Sequence, residues 1–215
     1  MILVTGATGI LGRVIVLELL KRGKTVRATK RKSSNLQEVR KSFQFYTETP
    51  NEYFDSIEWI EVDFEDIHSL QNALNGVEEV YHCAAKVSFH PKDEKKMYQT
   101  NIEGTKQLLF ACQNSSVKKF LFVSSIAVLD GLNENGELDE SSDFNPKIDH
   151  SAYAISKHFS EMEVWRASAE GLNTVIVNPG IIIGSGNWKE SSGTLFKELG
   201  ENTFTFSGGT SYVDV

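Results

Sequence analysis

The sequence predicts an α/β fold built on a doubly wound parallel sheet. Short apolar runs alternate along the chain with segments whose apolar residues recur three and four positions apart, the pattern of strands covered by helices on both faces. A glycine-rich turn follows the first run and opens directly into an amphipathic stretch. With 215 residues, 40% of them hydrophobic and 24% charged, the chain can bury one sizeable core but is crowded for two full domains.

Six runs read as strands: Ile2–Thr5, Thr25–Thr29, Ile57–Val62, Glu79–Cys83, Lys119–Ser124 and Thr174–Asn178. Helical period marks Ile10–Lys21, Ile67–Leu74, Lys95–Cys112 and Ala152–Glu170. Right-handed crossovers between parallel strands turn this order into an open, doubly wound sheet. Ser42–Asp55 mixes Phe43, Phe45, Tyr46, Tyr53 and Phe54 with Pro50 and polar residues and reads as an irregular, surface-packed excursion. After Gly180 the chain turns Gly- and Ser-rich through Gly193, with a short helical stretch at Thr194–Leu199 and an apolar run at Thr203–Phe206.

Charge narrows the partners. Twenty-two Lys and Arg against 29 Asp and Glu leave a net charge of −7, which repels a phosphate backbone and argues against nucleic acid. No run approaches the ~20 apolar residues of a membrane helix, and the first residues lack the pattern of a signal peptide. Cys83 and Cys112 have no metal-ligand spacing and read as reduced thiols, so a cytoplasmic protein is expected. His90, His150 and His158 lack a metal-ligand pattern as well, and no metal is expected.

The turn after the first strand reads Thr5-Gly6-Ala7-Thr8-Gly9-Ile10-Leu11-Gly12. A turn without bulky side chains lets backbone N–H groups approach a pyrophosphate, and the helix that follows aims its positive end at the same place. The glycines fall three apart, unlike the commoner G-x-G-x-x-G spacing, and no Gly-Lys-Ser/Thr follows as in a kinase-type loop. Position on the first strand-to-helix turn favours a dinucleotide over a purely packing role. At the end of the second strand an acid suits the ribose hydroxyls of NAD and a base suits a 2′-phosphate. From Leu19 to Gln37 there is no acid, and Lys30, Arg31 and Lys32 stand where that strand ends. NADP(H) is therefore favoured, NAD(H) remains possible, and Arg31 with Lys30 are the expected phosphate contacts.

Tyr153 and Lys157 lie four residues apart at the start of a helix and project from one face. A phenol becomes a useful acid–base group near neutral pH only if a neighbouring positive charge favours phenolate, which the ammonium and a cationic nicotinamide would supply. Taken alone the pair is also what an ordinary half-buried Tyr beside a surface Lys gives. The fifth strand, however, ends in Ser124-Ser125 at the edge where parallel sheets bind ligands, and a hydroxyl there can hold a substrate oxygen.

Together these motifs resemble the extended short-chain dehydrogenase/reductase superfamily, of the NAD(P)-dependent epimerase/dehydratase type and in the style of dihydroflavonol-4-reductase. The likeness runs in order through Thr5-Gly6…Gly9…Gly12, Asp63, His82-Cys83-Ala84-Ala85, Asn101-Ile102-Glu103-Gly104-Thr105, Ser124-Ser125, Tyr153…Lys157 and Asn178-Pro179-Gly180. It implies a Rossmann domain over residues 1–180 and, over 181–215, the start of a substrate-binding region that relatives continue further. By the same likeness, Gly6, Gly9, Ile10, Leu11 and Gly12 cradle the pyrophosphate, and Asp63 with Phe64 flank the adenine. Ala84 and Ala85 line the way to the nicotinamide, and Pro179 and Gly180 present backbone to its carboxamide. Tyr153 is the implied general acid/base. Lys157 holds the nicotinamide ribose and lowers the phenol's pKa. Ser125 is the implied catalytic serine, with Ser124 as a one-residue alternative. His82 reads as a strand-end residue satisfied by hydrogen bonds, and Asn101 either orders the site or caps a helix.

The expected function is an NADP(H)-dependent oxidoreductase that moves hydride to or from a small-molecule carbonyl or alcohol. The alternatives are a nucleotide-sugar epimerase or dehydratase holding NAD(P) tightly, and a dinucleotide-binding sensor without catalysis. Dinucleotide binding is expected to survive better than turnover in this chain. The resemblance also implies a homodimer through the segments Lys95–Cys112 and Ala152–Glu170.

Overall fold

The computed structural model describes residues 1–88 and 90–185. Six parallel strands form one sheet in the order β3-β2-β1-β4-β5-β6, with β1 at Ile2–Thr5, β2 at Val26–Lys30, β3 at Glu58–Glu61, β4 at Glu79–His82, β5 at Lys119–Val123 and β6 at Asn173–Val177. The chain winds outward in one direction from β1 to β3, then returns past β1 to build β4, β5 and β6 on its other side. The strand order therefore reverses between β1 and β4, and the carboxyl ends there frame the crevice where open α/β sheets bind ligands.

Both faces are covered at the centre of the sheet, where alternation along β1 sends side chains to two cores. Ile2 and Val4 of β1 point to the face covered by α1 (Ile10–Lys21), α2 (Leu36–Phe43) and α3 (Pro50–Asp55), where they join Val16, Leu17, Val26 and Phe43. Leu3 points the other way, to a core with Val80, Leu108, Phe120, Phe122 and Val164. That second core lies under α4 (Ile67–Ala73), α6 (Gly104–Gln113) and α7 (Ala152–Ala169).

Two sequence expectations are corrected. Ser42–Asp55 is not irregular: it contains the end of α2 and all of α3, because Pro50 stands at the start of α3, where its missing N–H costs nothing. Nor are its aromatics a surface feature throughout, since Phe43 and Phe54 are buried edge-to-face at 6.1 Å, with the Arg40 guanidinium over Phe54. Lys95–Cys112 is not one α-helix either. A short α5 (Glu94–Tyr98) passes through a π turn at Gln99–Glu103 before α6 begins. The extra residue of such a turn carries Asn101 inward, to 1% exposure. The expected stretches at 194–199 and 203–206 lie outside the described residues.

Candidate active site

The glycine turn is built by close approach. Gly6 has φ 64°, a left-handed conformation that disfavours side chains, and a Cβ there would lie 2.7 Å from backbone atoms of Cys83 and Ala84 at the end of β4. A Cβ on Gly12 would run into the carbonyl oxygen of Gly6, so the first turn of α1 sits directly on the loop. Gly9 N–H closes the turn on Gly6 O at 2.9 Å. Gly9 is also the N-cap of α1, but no side chain caps the helix and no acid occupies its first turn. Its leading N–H groups thus lack a side-chain acceptor, which fits the pyrophosphate of a dinucleotide.

Behind the turn, His82 is fully enclosed. Its ring joins Thr5 Oγ1 at 2.6 Å to Thr105 Oγ1 at 2.9 Å, and burial, with the charge of Lys157 adding to it, pushes its pKa down to about 3. A neutral, doubly bonded imidazole braces β1, β4 and α6, as the sequence suggests. Asn101 caps no helix; it ties the Lys86 backbone in both directions, at 2.7 and 3.0 Å, and donates to Ser156 Oγ. That fixes the Ala84-Ala85-Lys86 path to α7.

At the far side of β4, Lys157 is 2% exposed. Its Nζ donates to Val123 O at 2.7 Å and sits 4.1 Å from the centroid of the Phe122 ring. Burial pulls its pKa down to about 7, with Glu161 and Cys83 opposing. Burial pushes the Cys83 thiol up to about 12, so it is uncharged through that range, and Glu161 is the effective counter-charge. Tyr153 stands one turn earlier on α7. Its phenol is raised by burial and drawn back by a hydrogen bond with Ser125. Lys157 keeps its Nζ on Val123 O, and in the free protein the hydrogen bond with Ser125 is what draws the phenol back toward its ordinary range.

Between the two candidate serines, geometry separates the roles. Ser125 meets Tyr153 and accepts from Ala127 N at 3.2 Å, whereas Ser124 Oγ is buried with no partner among the described residues. The strand ends behind them are cross-tied, Ser124 N donating to Val177 O and Ile126 N to Pro179 O, which puts Pro179-Gly180 beside Ser125. Asn178 adds a link invisible to local spacing: its Nδ2 donates to Ser125 O at 3.2 Å and to Glu161 Oε1 at 2.8 Å.

The adenine end is more open. Arg31 is exposed just beyond β2, its backbone held in a tight turn with Ser34. Lys30 reaches Glu61 on the neighbouring strand at 3.4 Å, so it is partly engaged. Arg27 is no surface contact, for it is buried and holds Glu58 and the carbonyls of Ala73 and Asn75. Asp63 is exposed and accepts from Glu65 N at 2.9 Å, while the Phe64 ring turns inward toward His82 and Gly104.

The turn and the Ser125–Tyr153–Lys157 group therefore flank one strand end. Cys83-Ala84 backs Gly6 on one side and lies within the electrostatic reach of Lys157 on the other.

The sequence model of the NAD dependent epimerase/dehydratase family matches residues 2–202. Sterol demethylase protein B of Methylococcus capsulatus is 32% identical over 189 residues, covering 88% of this chain and 53% of that protein. Dihydroflavonol 4-reductase of Arabidopsis thaliana is 29% identical, covering 84% of this chain and 49% of that protein. Among solved structures, UDP-glucose 4-epimerase of Thermus thermophilus in complex with NAD superposes with a TM-score of 0.71 at 26% identity, over 91% of this chain and 60% of that one. The chain spans about half the length of the curated relatives it matches.

Proposed function

We propose, from the premise that this chain belongs to the NAD-dependent epimerase/dehydratase family, that it binds NADP(H) and serves an oxidoreductase acting on a small-molecule carbonyl or alcohol. The observation that carries this reading is that Ser125, Tyr153 and Lys157 gather at the end of β5, beside the β4 end that backs the glycine turn. NADPH, when bound, supplies the hydride. Ser125 holds the substrate oxygen, and Tyr153 gives its phenolic proton to that oxygen as the carbonyl becomes an alcohol; in the oxidative direction the phenolate takes the proton back. Because burial raises the phenol, a positive nicotinamide beside it is the further charge that brings phenolate into range. Lys157 holds the nicotinamide ribose, and Pro179-Gly180 faces the carboxamide.

NADP(H) over NAD(H) rests on Arg31, whose exposed side chain follows β2 in a stretch without acids. Likeness to an epimerase complexed with NAD keeps a second reading in view, in which NAD(P) stays bound through a transient oxidation. A sensor without catalysis has no use for a buried Lys157 beside a Ser-Tyr pair. We further place the protein in the cytoplasm, in keeping with Cys83 and Cys112 as free thiols. Among the described residues, no helix is long and apolar enough to cross a membrane.

The test is calorimetric titration with NADP⁺ and NAD⁺, followed by assay of the whole protein with NADPH and a panel of aldehydes and ketones. We expect NADP⁺ to bind at least about tenfold more tightly than NAD⁺, a difference of about 1.4 kcal/mol, and Tyr153→Phe to abolish turnover while leaving cofactor affinity within twofold. Full activity of Tyr153→Phe would remove the assignment.

A further inference from the structure

Arg13 follows the last glycine of the turn and is 3% exposed, although it lies on a helix that a hydrocarbon side chain would pack equally well. It does not reach for solvent. Its Nε donates to Gly9 O at 3.1 Å, and its Nη2 donates to Thr8 O and to Glu38 Oε1, the latter at 3.0 Å. Gly9 O also accepts from the Arg13 backbone N–H at 3.1 Å. One guanidinium thus fixes two successive carbonyls of the glycine turn. A trans peptide is planar and its N–H points opposite its C=O. With Gly9 O held toward Arg13, the Ile10 N–H must face away from it, outward from the start of α1. With Thr8 O held the same way, the Gly9 N–H is kept on Gly6 O and the loop stays closed.

Glu38 gives the clamp a second end. It lies on α2, a few residues after Lys30 and Arg31, and its side chain is 36% exposed against 3% for Arg13. The Arg13–Glu38 ion pair therefore joins the turn to the helix that follows the basic segment. Arg13 Nη1 is buried without a hydrogen-bond partner among the described residues.

We propose that Arg13 is a positioning residue for the dinucleotide's pyrophosphate: it holds the Gly9–Ile10 peptide with its N–H outward and the Thr8–Gly9 peptide closed on Gly6 O and, through Glu38, couples that turn to the seating of α2. This rests on the reading that the turn binds a dinucleotide. Arg13 touches no part of the ligand; it acts through Thr8 and Gly9, and a lysine, which lacks the planar fork, replaces its charge without its geometry.

The experiment compares the wild-type chain with Arg13→Gln, Arg13→Lys and Glu38→Gln. NADP⁺ affinity is measured by calorimetry, 2′-AMP affinity by ligand-observed NMR, and amide exchange across residues 8–12 by mass spectrometry. 2′-AMP carries the adenosine and 2′-phosphate but no pyrophosphate. We expect Arg13→Gln to weaken NADP⁺ about tenfold, to leave 2′-AMP within about twofold, and to speed exchange in the turn, with Arg13→Lys recovering less than half of the loss on the logarithmic scale. Equal losses for both ligands would mean general damage and would overturn the proposal, as would unchanged NADP⁺ binding in a folded Arg13→Gln. Should Arg13→Gln not fold, Glu38→Gln decides: about threefold weaker NADP⁺ with faster turn exchange supports the coupling, and wild-type behaviour rejects it. A wild-type chain that binds 2′-AMP or nothing, but not NADP⁺, would instead defeat the functional reading on which this stands.

Discussion

At the scale of single residues, burial decides chemistry. His82 and Lys157 are both pushed toward their neutral forms by being enclosed, yet they differ in what surrounds them. His82 has both ring nitrogens occupied by threonine hydroxyls, so its low pKa is a structural property with a stability consequence. Below its unfolded value of 6.5 the unfolded chain takes up a proton that the native ring refuses until about pH 3. The unfolded state then binds more protons, and stability falls as pH drops through that window. Between pH 6.5 and 5 this single group accounts for about 2 kcal/mol, measurable as a lower urea midpoint, and His82→Gln should flatten that dependence. An unaltered slope in His82→Gln would show that the ring titrates normally. Lys157 follows the same sign at higher pH: its folded value of about 7 against 10.5 unfolded makes stability rise as pH climbs between the two.

At the scale of elements, legibility followed locality. All six strands were readable from short apolar runs, with ends shifted by at most a residue, although burial on both faces holds for β1 and not for the edge strands β3 and β6. The turn and the Tyr153/Lys157 pair were readable because each is a short spacing on one element. What escaped were α2 and α3, where Pro50 resembles a breaker but stands at the start of a helix, and the π turn, whose flanks keep helical period on both sides. Links across long separations were equally hidden: Asn178 to Glu161, Asn101 to Ser156 and Arg13 to Glu38 come together only in the folded chain. Packing of α1 on its turn gives a test at this scale. Gly12→Ala forces a Cβ against Gly6 O, so we expect about 1 to 3 kcal/mol lower stability, read by chemical denaturation, and at least about tenfold weaker NADP⁺. A stable variant with intact affinity would show that the loop is loose rather than close-packed.

At the scale of the whole molecule, the sheet carries chemistry at one edge and leaves apolar surface elsewhere. Phe159, Met162 and Trp165 of α7 and Phe110 of α6 are each at least half exposed, more large apolar surface than scattered single residues leave. We propose that these two helices pair with those of a second copy. Light scattering should give a dimer for the wild type and a monomer for Phe159→Glu/Trp165→Glu, with NADP⁺ affinity retained; a monomeric wild type at tens of micromolar would reject the pairing. The central claim reaches across the same scale, since it requires a ligand seated on the β1 turn to act on a phenol presented by α7. The direct measurement is the ultraviolet titration of the Tyr153 phenol, taken as wild type minus Tyr153→Phe, with and without saturating NADP⁺. We predict a phenol raised above its ordinary value of 10.0 in the free protein and lowered by at least about one pH unit when NADP⁺ is bound. A titration that NADP⁺ leaves unmoved, at concentrations where calorimetry shows it bound, would contradict the account.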